Sequence, residues 1–347
     1  MTSMNVSTNT LTDMPVVIFG EALVDEFSEQ SIVGGAPFNV ARNLACFSCS
    51  PLLVSRIGQD EVGAQISAEL QRSGMLSDGV QMDVQHASGR VKVWQDQQHD
   101  HAAHRFEILA DQAYDYIDQQ QAVEAVATYC QGRTDGIFYF GSLIQRSQIS
   151  SDTLQELLKR QGMTTFLDLN LRDGQASDAV ILSSLQQADI VKLNEDELQY
   201  VLKLSKDLLP MPLPVSASAS AIDLTTAREA WGEVILPLLR HFSVQSILIT
   251  LGERGYAYFD QSGRHYSAAE LPQPVQIVDT VGAGDAFAAV FLLGLVRQWP
   301  LAFTLQRAHQ FATRVCGVRG AVATDIAFYQ DQLRGWEADV SCSGEAV

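Results

Sequence analysis

Residues 277–287, which read IVDTVGAGDAF, contain the residue types best suited to chemistry. Gly282, Ala283 and Gly284 carry minimal side chains, so their backbone amides can surround an anion just before a helix begins. Asp285 falls where that helix starts, and a carboxylate there can accept the proton of an attacking hydroxyl. Unpaired N–H groups at a helix start also favour a phosphate. The pattern therefore fits phosphoryl transfer, and it equally fits an Asp-capped helix after a tight turn.

A second glycine-containing segment, GGAPFNVARNLA, pairs Gly34 with Gly35 ahead of Pro37. The glycines allow a close backbone approach, and proline is tolerated in the first helical turn because its missing N–H has no helical partner there. The Asn39 side chain offers both a donor and an acceptor, which suits a sugar hydroxyl. A plain junction between a loop and a helix explains the same residues.

Two acidic segments follow apolar runs and are further candidates. Asp25 lies five residues beyond the first apolar run, where its carboxylate can accept hydrogen bonds from two vicinal hydroxyls. In the segment NEDE, Asn194 and Glu197 have the spacing of a capping box. Glu197 also suits a carboxylate that organises Mg²⁺ and its waters around nucleotide phosphates, and both roles can hold together.

The elements that must position these residues are short apolar runs alternating with amphipathic helical stretches. This alternation predicts an α/β fold with a doubly wound, mainly parallel sheet and helices on both faces. Ligands of such sheets bind beyond the carboxyl ends of the strands. The polar segments that follow apolar runs are therefore expected along one edge; they read GEALVD, NLR, NEDE and GERG.

We expect a single domain over residues 14–336, with a frayed tail at 337–347. Residues 86–109 hold two β-rich pieces around a polar connector, which predicts a protruding hairpin that covers the site as a lid. Residues 209–223 are rich in Pro, Ser and Ala, which is typical of a surface loop insertion.

Composition excludes several classes of function. The formal charge of −18 argues against general affinity for nucleic acid or anionic membranes, so any phosphate must be held locally. No apolar run approaches the roughly 20 residues that span a bilayer, and the first residues lack a secretory signal, so we expect a cytoplasmic protein. The five cysteines include one CxxC, at Cys46 and Cys49, without a second metal-spaced pair, which disfavours zinc.

The chain contains, in this order, the motifs GEALVD, GGAPFNVARNLA, NLR, KLNEDE, TLGERG and DTVGAGDAF. Together these six motifs resemble the ribokinase-like sugar kinases of the PfkB type, and among them the fructokinase-like members. The resemblance spans nearly the whole chain. It implies a ribokinase-like fold with a small β lid, and transfer of the γ-phosphate of ATP to a primary hydroxyl of a monosaccharide, with Mg²⁺ and optionally K⁺.

The resemblance also implies roles for single residues. It makes Asp285 the general base, and it assigns the anion hole to Gly282, Ala283 and Gly284. Residues implied to contact the sugar are Asp25, Gly34, Gly35, Asn39, Asn170 and Arg172. Residues implied to lie near the nucleotide and its Mg²⁺ are Lys192, Asn194, Glu197, Thr250, Gly252, Gly255, His309, Ala312 and Cys316. A monovalent cation is implied beside Asp279, the Val281 carbonyl and Gly320.

The chain departs from the family in one stretch. Only the residues EFSEQSIV separate Asp25 from Gly34, where family members usually have a longer segment that contributes strands to the lid. We therefore expect the lid to rest mainly on residues 86–109. Because relatives often dimerise through lid strands, a homodimer is a hypothesis for this chain.

Three hypotheses for function follow. The first is an ATP-dependent kinase that converts fructose to fructose 6-phosphate. The second keeps this chemistry but changes the acceptor to 2-keto-3-deoxygluconate, ribose, another hexose or a nucleoside. The third is a catalytically silent protein that binds a sugar or a nucleotide, and the intact GAGD turn argues against it because a binding module needs no base there.

Overall fold

The computed structural model describes residues 14–27, 30–95, 104–160, 162–209, 228–268 and 276–343. Its strands are β1 (Val16–Phe19), β2 (Leu23–Glu26), β3 (Ser31–Gly34), β4 (Leu52–Gly58), β5 (Val80–Asp83), β6 (Gly89–Gln95), β7 (His104–Ile108), β8 (Gly136–Gly141), β9 (Met163–Asp168), β10 (Ile190–Asn194), β11 (Ser246–Thr250), β12 (Tyr256–Asp260) and β13 (His265–Ala268). Its helices are α1 (Ala36–Cys46), α2 (Glu61–Arg72), α3 (Gln119–Cys130), α4 (Gln148–Leu158), α5 (Asp178–Gln186), α6 (Glu195–Ser205), α7 (Arg228–Phe242), α8 (Ala283–Val296), α9 (Leu301–Val315) and α10 (Ile326–Ser343).

Nine of the described strands form one large sheet in the order β13-β12-β11-β10-β9-β8-β1-β4-β5. The pairs from β11 across to β5 are parallel, while β12 and β13 add to one edge antiparallel. The predicted mainly parallel α/β sheet is therefore confirmed. Because the parallel strands all point the same way, the segments that follow β1, β8, β9, β10 and β11 meet along one edge.

Strand β1 shows why this sheet is buried on both faces. Its four residues are apolar and fully buried, and successive side chains alternate between two separate apolar clusters. Val16 and Ile18 join the cluster covered by α1, α2, α8, α9 and α10, whereas Val17 and Phe19 join the cluster covered by α3 to α7. A continuous apolar run therefore forms a central strand, and helices on both faces complete the core.

Helix α8 follows directly on the glycine-rich turn that ends at Gly282. It is apolar around its whole circumference, and it packs against α1 and α9. Gly294 allows the close approach of α9, because a Cβ atom at this position would overlap the Thr304 side chain. Burial of the helix fixes the place of its first turn relative to the strand ends.

The smaller sheet forms the lid and draws on two segments of the chain. Its order is β3-β2-β6-β7, so two of its four strands come from the short segment between residues 23 and 34. The Phe27 N–H donates to the Gln30 carbonyl at 2.9 Å, and β2 and β3 pair antiparallel within this short segment. Strands β6 and β7, which lie within residues 86–109, pair antiparallel and complete the sheet. Residues 86–109 therefore supply the two longer strands of the lid, and the segment before Gly35 supplies the two shorter ones.

The expected frayed tail at 337–347 overlaps helix α10, which continues through Ser343, and it stays a prediction. Of the expected surface insertion at residues 209–223, all but Leu209 lies outside the described residues. Over the described parts of the chain, no helix combines the length and apolar character needed to cross a bilayer.

Candidate active site

The glycine-rich turn lies at the amino end of α8, as the sequence predicts. Gly282 is the N-cap with φ +80°, a conformation that favours glycine, and a Cβ atom there would also overlap the Ala321 backbone. Asp285 is the third residue of the helix, after Ala283 and Gly284. The first amides of a helix lack helical carbonyl partners, so this turn presents N–H donors and the positive end of the helix dipole. The Ala283 N–H also donates to the Thr280 carbonyl at 3.3 Å.

The Asp285 carboxylate is held by a neighbouring helix. The Nδ2 group of Asn39, near the start of α1, donates to Asp285 Oδ2 at 2.8 Å. The donor that we expected to meet a sugar hydroxyl is therefore engaged with the base. The Asn39 Oδ1 atom is buried and has no hydrogen-bond partner among the described residues, so it is the atom of this side chain left to accept from a ligand hydroxyl.

A buried ion pair lies beside the turn, and the sequence analysis missed half of it. Lys192 on β10 stands opposite Asp168 at the end of β9, and its Nζ atom lies 2.8 and 2.9 Å from the two carboxylate oxygens. The Tyr139 hydroxyl donates to Asp168 Oδ2 at 3.1 Å. A Cβ atom added at Gly284 would lie 3.4 Å from Lys192 Nζ, which puts the ammonium group directly beside the amides of the turn.

The charge state of this pair follows from its surroundings. Burial acts to lower the pKa of Lys192, but Asp168, with smaller effects from Glu197 and Asp285, raises that pKa above its ordinary value. Lys192 is therefore charged at neutral pH. Asp168 is the last residue of the apolar segment TFLD. This position was the signal that could have identified it, because an acid at the end of a central parallel strand lies at the edge of the sheet where ligands bind.

The pKa of Asp285 is raised to about 6, first by burial and then by the negative charge of Asp168. The hydrogen bond from Asn39 and the positive charges of Lys192 and Arg172 act in the opposite direction. A carboxylate with this pKa is ionised at pH 7.5 and still basic enough to accept a proton from a reacting hydroxyl, because catalytic bases work best near the ambient pH.

Two further acids lie near Asp285. Asp25 belongs to the lid strand β2, opposite Ile32. Glu21, directly after β1, was not singled out although it is only 4% exposed. Its position two residues after a buried parallel strand was the signal that could have identified it.

The paired glycines make room for these acids. A Cβ atom at Gly34 would lie 3.3 Å from Asp25 Oδ2, and one at Gly35 would lie 2.8 Å from the Glu21 carbonyl oxygen. Gly35 also has φ +102°, so a larger residue there would be strained. The close approach that we expected for a ligand is therefore made in part by the protein's own acidic segment.

Burial is the main reason that both acids have raised pKa values. The pKa of Glu21 rises to about 7 and that of Asp25 to about 6, in each case with Arg172 lowering it and Asp285 raising it. Arg172 is exposed in the loop that follows β9, and Asn170 in that loop has a left-handed φ of +38°. These predicted sugar residues therefore converge with Asp285 at one edge of the sheet.

Glu197 ties this loop to the next helix. Its two carboxylate oxygens accept the Asn194 N–H at 2.8 Å and the Leu171 N–H at 2.7 Å, and Asn194 accepts the Glu197 N–H in return at 2.9 Å. The predicted capping box is therefore present. Each carboxylate oxygen can accept one further hydrogen bond. Glu197 is therefore better suited to bind the waters around Mg²⁺ than to ligate the ion directly.

The residues predicted to border the nucleotide lie on two elements that pack together. Thr250 ends β11, and Gly252 and Gly255 bracket the next turn with φ of +60° and +92°. The residue paired with Thr250, Tyr256, contacts the His309 ring edge-on with a centroid distance of 5.6 Å. Helix α9 also carries Ala312 and ends beside Cys316, so it brings these positions to the same side as the turn.

The predicted cation positions also come together. The Asp279 carboxylate accepts the Val281 N–H and the Gly320 N–H, each at 3.0 Å. Among the described residues, no group of three or more His, Cys, Asp or Glu side chains could hold a metal ion. One carboxylate with nearby backbone carbonyls suits a weakly held monovalent ion such as K⁺ rather than a transition metal.

Comparison with known proteins relates the chain to sugar kinases. A family model described as pfkB family carbohydrate kinase matches residues 6–326. The chain is 27% identical over 332 residues to fructokinase-1 of Oryza sativa subsp. japonica, covering 88% of this chain and 90% of that protein.

Two solved structures have the same fold. Fructokinase with bound ATP from Xylella fastidiosa superposes with a TM-score of 0.73 at 21% identity, over 93% of this chain and 99% of that one. Aminoimidazole riboside kinase from Salmonella enterica, complexed with aminoimidazole riboside and an ATP analogue, gives 0.70 at 22% identity over the same shares. At these identities the likeness establishes the fold and leaves the acceptor open.

Glu21 predicts a pH-dependent stability difference. Its folded-state pKa of about 7 exceeds the ordinary 4.5, so wild-type stability falls as the pH rises from 4.5 through 7. Glu21→Gln removes this loss, so its free energy of unfolding relative to wild type should increase between pH 5 and pH 8 by up to about 3 kcal/mol. Urea unfolding at both pH values measures it. Glu124→Gln, at an exposed position on α3, is the control, and an equally flat difference for both variants would contradict the prediction.

Proposed function

The chain belongs to the PfkB family of carbohydrate kinases, and from this premise we propose that it transfers the γ-phosphate of ATP to the primary 6-hydroxyl of fructose, with Asp285 as general base. The observation that carries the proposal is the Asp285 carboxylate itself. It lies at the amino end of a buried helix, oriented by Asn39 at 2.8 Å and accompanied by the charged Lys192.

The first chemical task is to align and deprotonate the acceptor. An attacking oxygen must lie in line with the γ-phosphorus, because little covalent chemistry is left to the protein once the reactants are positioned. Asp285 receives the proton from the sugar hydroxyl as the oxygen–phosphorus bond forms. Its raised pKa supports this role, because a carboxylate with an ordinary pKa would be a weaker base.

The second task is to stabilise negative charge that spreads over the transferred phosphoryl group. The proposed donors are the amides of Gly282, Ala283 and Gly284, and Lys192 supplies a full positive charge beside them. The Ala283 N–H would have to exchange its 3.3 Å bond to the Thr280 carbonyl for the phosphoryl oxygen. Arg172 adds a second cation from the loop after β9. These local positive groups explain how a chain with a net charge of −18 could bind phosphate.

The third task is recognition of the sugar. Asp25 approaches from the lid and Glu21 from the core, and both carry raised pKa values. A carboxylate accepts hydrogen bonds from hydroxyls when ionised and donates one when protonated, so the pair suits a polyol. We assign Asn39 Oδ1, which no described residue satisfies, to a further hydroxyl contact.

The nucleotide is proposed to lie along the neighbouring strand ends. Its adenine would contact the Thr250–Gly255 turn and the α9 face that carries His309, Ala312 and Cys316, while the phosphates would point towards Lys192. Mg²⁺, when bound to those phosphates, neutralises part of their charge. Asn194 and Glu197 would meet its waters, and a monovalent ion would lie beside Asp279, Val281 and Gly320.

The choice of fructose is supported by the fructokinase relatives and by the segments GEALVD and GGAP. A nucleoside is the main competing acceptor, because a riboside kinase has the same fold. Other sugars and 2-keto-3-deoxygluconate need only a few changed side chains in the cleft. Because β3 and β7 form the edges of the lid sheet among the described strands, a homodimer through the lid stays a hypothesis.

Asp285→Asn tests the assignment of the base. The variant keeps the shape of the side chain but cannot accept the proton, so kcat should fall by about 10²- to 10⁴-fold while KM for the sugar changes little. A coupled ADP-release assay across fructose, ribose, 2-keto-3-deoxygluconate and a nucleoside measures both the acceptor and the loss. Asp152→Asn, on the exposed face of α4, should leave both constants unchanged. Near-normal kcat in Asp285→Asn would exclude this base, and wild-type activity on the nucleoside alone would exclude fructose.

Asp168→Asn tests the buried ion pair. Removing the carboxylate leaves Lys192 without its partner and takes away a negative charge that raises the pKa of Asp285. We expect kcat to fall and the acid limb of kcat/KM to move to lower pH. Tyr139→Phe, which removes only the hydroxyl that donates to Asp168, should shift the limb much less. An acid limb that stays in place in Asp168→Asn would show that this pair does not tune the base.

A further inference from the structure

Arg146 has a set of partners that the proposed phosphoryl transfer does not explain. It ends the short 3₁₀ helix Leu143–Arg146 that follows β8, and its side chain is only 10% exposed. Its guanidinium group donates to a carboxylate, to a backbone carbonyl and to a side-chain amide oxygen, which belong to three different segments of the chain. This arrangement uses the planar fork of five N–H donors that arginine has and lysine lacks.

Asp115 holds the guanidinium group in place. Arg146 Nε and Nη2 donate to its two carboxylate oxygens, each at 2.7 Å, and the Asp115 side chain is buried. Asp115 also accepts the Gln112 N–H at 2.9 Å, and the centroid of the Tyr114 ring lies 4.9 Å from the guanidinium carbon. A bidentate pair fixes the orientation of the guanidinium group, so its remaining N–H donors point in set directions.

One of the remaining contacts reaches the root of the lid. Nη2 donates to the carbonyl of Leu109 at 2.8 Å. Leu109 directly follows β7, and its N–H donates to the Arg90 carbonyl of β6 at 3.2 Å, so it is still held in the lid sheet. Three residues further on, Gln112 pairs with Ala87, which lies just before β6. Arg146 therefore contacts the lid where its two longer strands leave the body of the protein.

The other contact reaches the loop that carries Arg172. Arg146 Nη1 donates to the side-chain oxygen of Gln175 at 3.0 Å. The Gln175 N–H donates to the Arg172 carbonyl at 3.0 Å, and this bond closes a four-residue turn. At the other end of the loop, Glu197 accepts the Leu171 N–H at 2.7 Å. The exposed Arg172 side chain therefore projects from a loop that is fixed on both sides.

The position of Arg172 matters to the proposed chemistry. Burial is the main cause that raises the pKa values of Glu21, Asp25 and Asp285, and the positive charge of Arg172 lowers all three. Its guanidinium group is therefore within electrostatic reach of the proposed base and of both proposed sugar-binding acids. A long side chain on a free loop loses conformational entropy when it binds, and a loop that is ordered beforehand reduces this loss.

We propose that Arg146 is a positioning residue, which fixes the Arg172 loop through Gln175 and ties that loop to the root of the lid through the Leu109 carbonyl. Because one guanidinium group makes both contacts, the loop and the lid root keep one relative position. Arg172 then meets the acceptor from a loop that is already ordered. The effect on turnover rests on the proposed kinase function, whereas the ordering of the loop does not.

Gln175→Met tests the loop contact and leaves the ion pair with Asp115 intact, because methionine has a similar shape but only a weak acceptor. With ATP and fructose, kcat/KM should fall about three- to tenfold, the range expected for one lost hydrogen bond. Gln175→Glu keeps an acceptor for Nη1 and should stay within about twofold of wild type. Gln120→Met, at an exposed position on α3, is the matched control and should leave kcat/KM unchanged. An unchanged kcat/KM in Gln175→Met would overturn the proposal.

A double-mutant cycle with Arg172→Gln separates positioning from a general structural effect. If Gln175 acts through Arg172, then Gln175→Met should cause no further loss of kcat/KM once Arg172 is replaced. A structural role that is independent of Arg172 would give the same loss in both backgrounds, and that result would contradict the proposal. Gln175 is only partly buried in its loop, so we expect both variants to fold.

Hydrogen exchange on the full chain tests the same contacts without turnover. Gln175→Met should speed amide exchange in residues 170–176 about three- to tenfold and leave residues 106–112 unchanged. Arg146→Lys places one ammonium group where the fork had three directions, so it should speed exchange in both segments. Unchanged exchange at residues 170–176 in both variants would refute the positioning role.

The two readouts also separate this role from the proposed function. The expected exchange pattern in a protein that turns over no acceptor would refute the kinase function and support the positioning role. Turnover of fructose by the wild type, together with unchanged exchange in both variants, would retain the kinase function and refute the positioning role.

Discussion

The arrangement depends on one constraint, which is that an acid must stay reactive at the amino end of a buried helix. Burial alone would protonate Asp285, and full pairing with a cation would make it a poor base. The structure holds it between these extremes with one hydrogen bond from Asn39, the negative charge of Asp168, and the positive charges of Lys192 and Arg172. The parallel sheet provides this balance because Asp168, at the end of β9, lies directly opposite Lys192 on the adjacent strand β10.

The same constraint explains how several acids could share a cleft with the phosphate that we propose to bind there. Glu21, Asp25 and Asp285 all have pKa values raised by burial, which limits their combined negative charge near neutral pH. The helix amides and Lys192 then provide a local positive field in a chain that is acidic overall. The cost is lower stability as the pH rises, because buried carboxyl groups must then ionise without enough partners.

Much of the fold and part of the site could be predicted from the sequence. Apolar runs such as VVIF specify central parallel strands, and the GAGD segment specifies a helix start, because both are local patterns with one physical explanation. The Asp168–Lys192 pair could not be predicted, because it depends on the register between two strands. Glu21 was missed because its burial is set by Gly35 and by the lid, which lie elsewhere in the chain. The lid strands β2 and β3 were missed because four residues carry too little pattern to distinguish a strand from a loop.

The measurement that tests the central claim most directly is the ratio of kcat/KM for wild type to that for Asp285→Asn, followed from pH 5 to pH 8. Glu21 and Asp25 titrate in both proteins, so their effects cancel in part, and the loss of the Asp285 charge lowers their pKa values in the variant. The account predicts a ratio that falls as the pH decreases, with a midpoint of about 6, since protonated Asp285 can no longer act as a base. A large ratio that stays constant over this range would contradict the claim that Asp285 is a base with a raised pKa.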